Sequence, residues 1–448
     1  MPQQIEALGP RVRPPLGRWI PLSIQHVFAM FGATILVPIL TGLDPAAALF
    51  TAGTGTLIYI LLTGAKVPAF LGSSFAFIPP ILAIAGGPGG PNMAYALGGA
   101  VTAGIFYCLI GIIIRFTGTS WLDRALPPVV IGSVIVVIGL NLAPTAMAMA
   151  MNVGGGAGGE YSLPLFSIAV FTLGITVAAN IFLKGFFSVI PILIGLVAGY
   201  LFALIMGFFF SAYRVIDFQV VRDAPWFGLP SFRVPRFSFV ASSTFIIVSL
   251  ATICEHLGDT LVTSKVVGQD FYKNPGIHRT LTGDGIATAW AAFWGGPPNT
   301  TYGENIGVMA ITRVYSVWVI GGAAVIAVIL SFFHKFGALI RTIPTPVLGG
   351  ISMLLFGIIA SSGLRTIVES GVDYKDKRNL TISSVIFVIG IGGGKLAFAI
   401  TRDLQFELAG VALATVVGIV LNMVFPPSRA AAGGQEPKGG KRNNGLVQ

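Results

Sequence analysis

Apolar runs of about 20 residues recur from one end of the chain to the other, separated by short polar breaks, and each can cross a hydrocarbon core roughly 30 Å thick as a helix. The pattern predicts fourteen spans, over 18–41, 45–64, 67–85, 93–116, 125–149, 163–183, 187–211, 239–264, 277–296, 298–315, 316–333, 338–362, 379–394 and 405–425. Two of them break the rule. Span ten packs Pro297, Pro298, Asn299, Thr300, Thr301, Tyr302, Gly303, Glu304 and Asn305 into apolar surroundings. Non-helical backbone at membrane depth is tolerated only where protein buries it or where it lines a cavity, so this is a broken span beside a polar site. Span three repeats the signature, with Gly72, Ser73 and Ser74 ahead of Pro79 and Pro80. Two short extended pieces, each feeding a half-helix, are expected to meet at mid-depth and aim backbone N–H groups at a ligand. Phe75 and Phe77 alternate along such a strand and would face one way, either as a stacking platform or as packing.

An internal repeat shows through. Leu97-Gly98-Gly99-Ala100-Val101 recurs as Ile320-Gly321-Gly322-Ala323-Ala324, and Pro127-Pro128-Val129-Val130-Ile131-Gly132 as Pro344-Thr345-Pro346-Val347-Leu348-Gly349. Both pairs lie about half the chain apart and equate spans four and five with eleven and twelve. A seven-span unit is odd, so its second copy inserts upside down. The expected fold is an all-α polytopic membrane protein of fourteen spans, two inverted sevens, with short extended segments in spans three and ten.

Composition agrees. The 448 residues are 54% apolar and 10% charged, with a mean hydropathy of +0.85, which leaves no room for a soluble domain. A net charge of +10 would suit nucleic acid, but the cations lie in short loops between spans, so the bilayer is the expected partner and nucleic acid is not. Most Lys and Arg fall on the side of the N-terminus, which puts both termini in the cytoplasm. Arg11, Arg13 and Arg18 precede a first run without a small-residue cleavage site, which predicts a retained span. The tail over 429–448 is expected to be disordered, 1–16 forms an N-terminal tail, and 213–236 an outside loop. Cys108 and Cys254 lack disulfide or metal spacing, and no nucleophile elbow or phosphate loop is present, so no metal, cofactor or enzyme activity is expected.

The acids carry the chemistry. Glu255 and Asp259 are four residues apart in span eight and share a helix face, with Thr263 one turn further on. Two buried carboxylates this close do not ionise together cheaply, which suits proton-linked transport; the alternative is that the pair sits at the mouth of a short span. Glu304 opens the half-helix of span ten beside Asn305, where it gains from the N-terminal dipole and can accept from ligand N–H groups. His26 is a ligand or a helix-helix support, and His256 lies on another face from Glu255. Asp284, between Gly283 and Gly285, is left as a structural partner.

At these residues the chain resembles the nucleobase-ascorbate transporter family. Glu304-Asn305-x-Gly307, followed after four residues by Thr312-Arg313, fits the family motif, and Gln25-His26, the run Ser73 to Phe77, and Glu255 also match, from about Gly17 to Phe425. The resemblance implies a core domain (17–118 and 239–334) that moves, elevator-like, against a gate domain (119–238 and 335–428), in a homodimer. It implies that Glu255 and Glu304 hold a nucleobase, that Phe75 or Phe77 stacks on it, and that Ser74, Tyr302 and Gly303 complete the contacts. Asp259, Glu304 and Glu255 would couple protons, with His26, Asn305, Thr312 and Arg313 in support. The implied activity is proton-coupled import of uracil across the cytoplasmic membrane, with Na⁺ as the alternative ion. A xanthine or uric acid carrier is the alternative on the same fold, and an anion carrier or channel the more distant one. Glu at 304, where purine carriers commonly have Gln, favours uracil. Asp259 stands where some uracil carriers have His and purine carriers commonly have Asp, which keeps purine transport open.

Overall fold

A computed structural model of the chain describes residues 7–156, 158–401 and 404–426. The tail expected over 429–448 and the start of the N-terminal tail lie outside them. In order, α1 (Leu16–Thr41) and α2 (Pro45–Leu62) lead to strand β1 (Leu71–Ser73), a 3₁₀ turn (Phe75–Phe77), α3 (Ile78–Ala85) and α4 (Met93–Thr117). Next come α5 (Ser120–Ala125), α6 (Pro128–Asn141), α7 (Ala143–Met151), α8 (Leu163–Phe182), α9 (Pro191–Phe209) and α10 (Gln219–Asp223). The second half runs α11 (Phe239–Val267), α12 (Ile277–Phe293), β2 (Asn299–Thr301), α13 (Gly303–Thr312), α14 (Val317–Ser331) and α15 (His334–Arg341). It closes with α16 (Thr345–Glu369), α17 (Lys377–Ile391), β3 (Lys395–Thr401), β4 (Leu404–Ala409) and α18 (Gly410–Val424).

Among the described residues eight helical segments are long and apolar enough to cross a membrane, counting α6 and α7 as one; shorter apolar helices include α14 and α18. The protein is an integral membrane protein built mainly of helices. Proline placement explains several of the breaks. Pro79 and Pro80 sit in the first turn of α3, and Pro128 opens α6, where the missing N–H costs nothing.

The packing repeats when the two halves are exchanged. Helix α4 lies on α12 as α2 lies on α14; α11 lies on α4 as α1 lies on α14; α8 pairs with α9 as α17 pairs with α18. Helices cross closely where small residues remove bulk: a side chain at Gly104 would strike the Gly285 carbonyl and Ala289, and one at Gly53 the Ala324 carbonyl. Helix α16 packs along α6, α7 and α8, and α17 lies on α6.

Strands β1 and β2 pair antiparallel at the middle of this arrangement, with Leu71 opposite Thr301, Gly72 opposite Thr300 and Ser73 opposite Asn299. A two-stranded ribbon leaves its outer edges unpaired, which apolar surroundings punish. Side chains of neighbouring helices supply the missing partners. Thr56 of α2 accepts from Leu71 N at 2.9 Å and donates to Leu71 O at 3.2 Å, while Thr288 of α12 donates to Asn299 O at 2.8 Å. Asn299 Nδ2 donates in turn to the Thr51 carbonyl at 3.1 Å.

Two expectations are corrected. The all-α reading omits a second antiparallel hairpin, β3 with β4, so the last span starts at Gly410 and not at 405. Gly392, Gly393 and Gly394 stop α17, Gly393 at φ 68°, and the chain leaves in extended form. Phe75 and Phe77 do not alternate along a strand, because β1 ends at Ser73 and both lie in the 3₁₀ turn.

Candidate functional site

The site grows from the ends of the paired strands. On α11, Glu255 and Asp259 are half-buried and look the same way, while His256, Leu257 and Gly258 between them are buried. The four-residue spacing produces this face. Asp259 Oδ2 accepts from Thr301 Oγ1 at 2.8 Å, which ties α11 to β2. Glu255 Oε2 is buried and has no hydrogen-bond partner among the described residues. Glu304 stands in the first turn of α13, half-buried and within electrostatic reach of Glu255 and Asp259. Gly303 and Gly307, one turn apart on α13, are exposed, and a side chain at either would meet no atom within 4 Å. That face of α13 borders open space next to the carboxylates.

The half-helix ends add polar groups of the complementary kind. The N-cap of α13 is Tyr302, which gives no side-chain cap. A helix start without a side-chain cap leaves backbone donors for a ligand. Ser74 Oγ, Thr300 Oγ1 and Asn305 Oδ1 are also buried without a partner among the described residues. Thr300 alternates with Thr301 across the ribbon and Asn305 is turned to His26, so of these it is Ser74 Oγ, with Glu255 Oε2, that is left for a ligand.

Other residues expected here are turned elsewhere. Tyr302 is only 3% exposed, accepts from Thr34 Oγ1 at 3.2 Å and donates to the Ser73 carbonyl at 3.3 Å. Its ring fills the space where Gly72 has no side chain, so it acts as a strut joining α1 to the ribbon. Phe77 is fully buried and stacks on Phe245 at 5.6 Å and 10°. Phe75 belongs to a different cluster and meets Phe356 of α16 edge to face, centroids 5.5 Å apart. Of the two rings, Phe75 is the one at the meeting of the ribbon and α16.

The supporting residues have definite partners. Asn305 Nδ2 donates to His26 Nδ1 at 3.0 Å and to the His26 carbonyl at 3.2 Å, so His26 is fully buried and holds α13 against α1. Accepting at Nδ1 places the ring proton on Nε2 in the neutral tautomer. Thr312 donates to Val308 O at 2.8 Å and accepts from Val314 N at 3.3 Å, and Arg313 takes the left-handed conformation (φ 55°). Together they end α13. Two partnerships were missed by sequence reasoning: Thr301 with Asp259, and His256 with Asp284. In the second, Nδ1 lies 3.1 Å from Oδ2, both side chains fully buried, with Thr280 Oγ1 3.1 Å from Nε2. The only signal in the sequence was a carboxylate flanked by two glycines.

The chain matches the model described as the Permease family over residues 17–397. It is 52% identical to the uracil permease of Bacillus subtilis over 431 residues, covering 94% of this chain and 96% of that one. It is 45% identical to the uracil permease of Escherichia coli K12 over 422 residues, 94% of each. The transmembrane domain of a cyanobacterium bicarbonate transporter superposes with a TM-score of 0.64 at 15% identity, over 92% of this chain and 98% of that one. Murine Solute Carrier 26 family member A9, an anion transporter in the inward-facing state, gives 0.59 at 10%, over 92% and 69%. At these identities the two structures share the fold alone.

Proposed function

The chain belongs to the nucleobase-ascorbate transporter family, within the permeases whose model covers most of its length, and on that premise we propose that it imports uracil with protons across the cytoplasmic membrane. The observation that carries the reading is the unpaired, buried Glu255 carboxylate oxygen on a residue that feels the charge of Glu304, the second carboxylate, in the opening turn of α13. Uracil is a neutral ring whose N–H donors alternate with carbonyl acceptors, so it needs carboxylate acceptors, backbone donors and an apolar slot. Glu255 and Glu304 take its N–H groups. The Ser74 N–H is taken by the Pro298 carbonyl at 2.8 Å, so the Ser74 hydroxyl, unpaired among the described residues, and the backbone at Gly303 donate to its carbonyls, and Phe75 walls the slot.

Protons enter through the same acids. Three carboxylates crowded at one junction are costly to keep ionised together, and a proton on Asp259, Glu304 or Glu255 lets the loaded carrier reorient with less buried charge. Helices α1 to α4 and α11 to α14 form a core that moves against a gate made of the remainder, in a homodimer with both termini in the cytoplasm. The fourteen-span inverted repeat is supported by the exchange symmetry of the packing. It is supported too by the antiparallel run of β1 and β2, since equivalent segments related by an in-plane two-fold must point in opposite directions. An anion carrier would want cations where this site has acids.

Uptake of labelled uracil, with and without an imposed inward proton gradient and with a panel of competing bases, tests the assignment. Saturable, gradient-driven uptake is expected. Saturable uptake of labelled xanthine with none of labelled uracil would replace uracil with a purine, and uptake driven by a Na⁺ gradient alone would replace the coupling ion.

A further inference from the structure

Away from the acids, the far ends of α2, α4, α12 and α14 carry two adjoining cavities of opposite character. The first is a cleft of about 480 Å³ lined by Arg115 in the last turn of α4, His278 and Arg279 at the start of α12, Thr282, Ile112 and Leu62. Neither arginine has a carboxylate at ion-pair distance among the described residues. They converge because α4 ends where the antiparallel α12 begins. The second is an apolar groove of about 490 Å³ between α1, α2 and α14, lined by Leu57, Ile60, Val325 and Ile326, with Trp19 and Trp318 at its end. Arg13 lies over both indoles, 5.1 and 5.4 Å from their centroids. Leu61 lines both cavities and is 77% exposed, and Phe116, next to Arg115 in the chain, is 82% exposed. Aromatic residues with nearby arginines mark the depth of lipid headgroups.

We propose that this face binds a phospholipid with an anionic headgroup, its phosphate on Arg115 and Arg279 and an acyl chain passing over Leu61 into the groove between α1, α2 and α14. A cationic cleft open to the membrane satisfies the headgroup, as basic pockets between spans do. The adjoining groove takes the apolar part, which a free phosphate or nucleotide would leave empty. The inference is independent of the substrate assigned above, because none of these residues borders the acids.

The test uses the delipidated full chain in detergent, with binding read by native mass spectrometry and thermal stability. Phosphatidylglycerol is expected to bind and raise the melting temperature, while phosphatidylcholine and inorganic phosphate do neither to the same degree. The double substitution Arg115→Gln with Arg279→Gln should weaken phosphatidylglycerol binding by about ten- to thirty-fold, from two cations near a lipid surface. Leu61→Trp, which keeps both charges and obstructs the passage between cavities, should weaken it as well. Equal effects of phosphatidylcholine would overturn the headgroup assignment. Inorganic phosphate matching the lipid would make this a free-anion site and overturn the lipid. Should the double variant fail to fold, the ranking of the three ligands on the unmodified chain and the Leu61→Trp result still decide the matter.

Discussion

Glu255 and Glu304 are asked to do the same job by different routes, one from mid-helix and one from a helix start, and their amides should separate binding from folding. Glu255→Gln or Glu304→Gln keeps shape and removes the charge from a hydrogen bond worth about 1.5–3 kcal/mol, so uracil affinity should fall by roughly ten- to a hundred-fold. Calorimetric titration of purified protein checks this, and wild-type affinity in both variants would remove the two acids from the binding site. Asp259 is different, since Thr301 already occupies one of its oxygens. Asp259→Asn should retain equilibrium binding better than gradient-driven uptake, and an unchanged response of uptake to external pH would count against a coupling role. The acids were legible because ionisable groups stand out in apolar sequence. What they touch was not. Thr301 and Asp259 are 42 residues apart, and His256 and Asp284 sit on different helices, so only the crossing of those helices brings them together. The phenylalanines failed for a local reason: over three residues a strand and a 3₁₀ turn carry the same sequence, and the turn sends Phe75 and Phe77 into separate clusters.

Elements were legible wherever Pro and Gly interrupt an apolar run. Both interruptions at 72–80 and 297–303 become a strand followed by a half-helix, whereas the β3–β4 hairpin was hidden because β3 fell in the loop between the last two expected spans and the apolar residues of β4 passed for the start of the last one. The β1–β2 ribbon makes a sharp demand on Gly72, whose absent side chain leaves room for the Tyr302 ring. Gly72→Ala should force that ring aside and cost about 1–3 kcal/mol of stability, as overpacking does. Melting temperature in detergent measures it, and an unaltered value would mean the ribbon yields without cost. The turn between α1 and α2 makes a second demand. Asp44 caps α2 through Ala46 N at 3.2 Å, accepts from Ser231 N at 2.8 Å and pairs with Arg341 of α15 at 2.8 Å. Burial alone would raise its pKa, but Ser231 and Arg341 hold it below the ordinary carboxylate range. A lowered folded-state value means stability that is complete above the unfolded pKa of about 3.9 and lost as pH falls through the folded one. Asp44→Asn keeps a capping oxygen and gives up the charge, so at neutral pH it should cost up to about 1 kcal/mol, Arg341 being half in solvent. The gap between variant and wild type should begin to narrow as pH falls below about 4 and close below the folded-state pKa; a gap of the same size at pH 7 and pH 3 would show that the charge of Asp44 is not its source.

At the scale of the molecule, the exchange symmetry of the packing and the proposed division into core and gate make one claim: contacts within each group persist while contacts between them change. The two recurring sequence pairs suggested the seven-span unit, while the division into core and gate came from the family resemblance alone. Which residues meet across the division was legible in neither, since that depends on how two sets of helices lean together. Gly32 of α1 supplies the test. A Cβ placed on it would lie 3.6 Å from the Cβ of Ile192 on α9 and would collide with the γ2 methyl that branches from it. Disulfides have Cβ–Cβ separations of about 3.5–4.5 Å, and Ile192→Cys removes the colliding methyl. The pair Gly32→Cys with Ile192→Cys, in a background where Cys108 and Cys254 are replaced by Ser, should therefore oxidise to a bridge from core to gate. If transport needs the core to slide past α9, oxidation should abolish uracil uptake while leaving uracil binding in place, and a reductant should restore uptake. Each single cysteine variant controls for the substitution itself. Full uptake with the bridge formed would mean that α1 and α9 move as one body, and the division between core and gate would have to be drawn elsewhere.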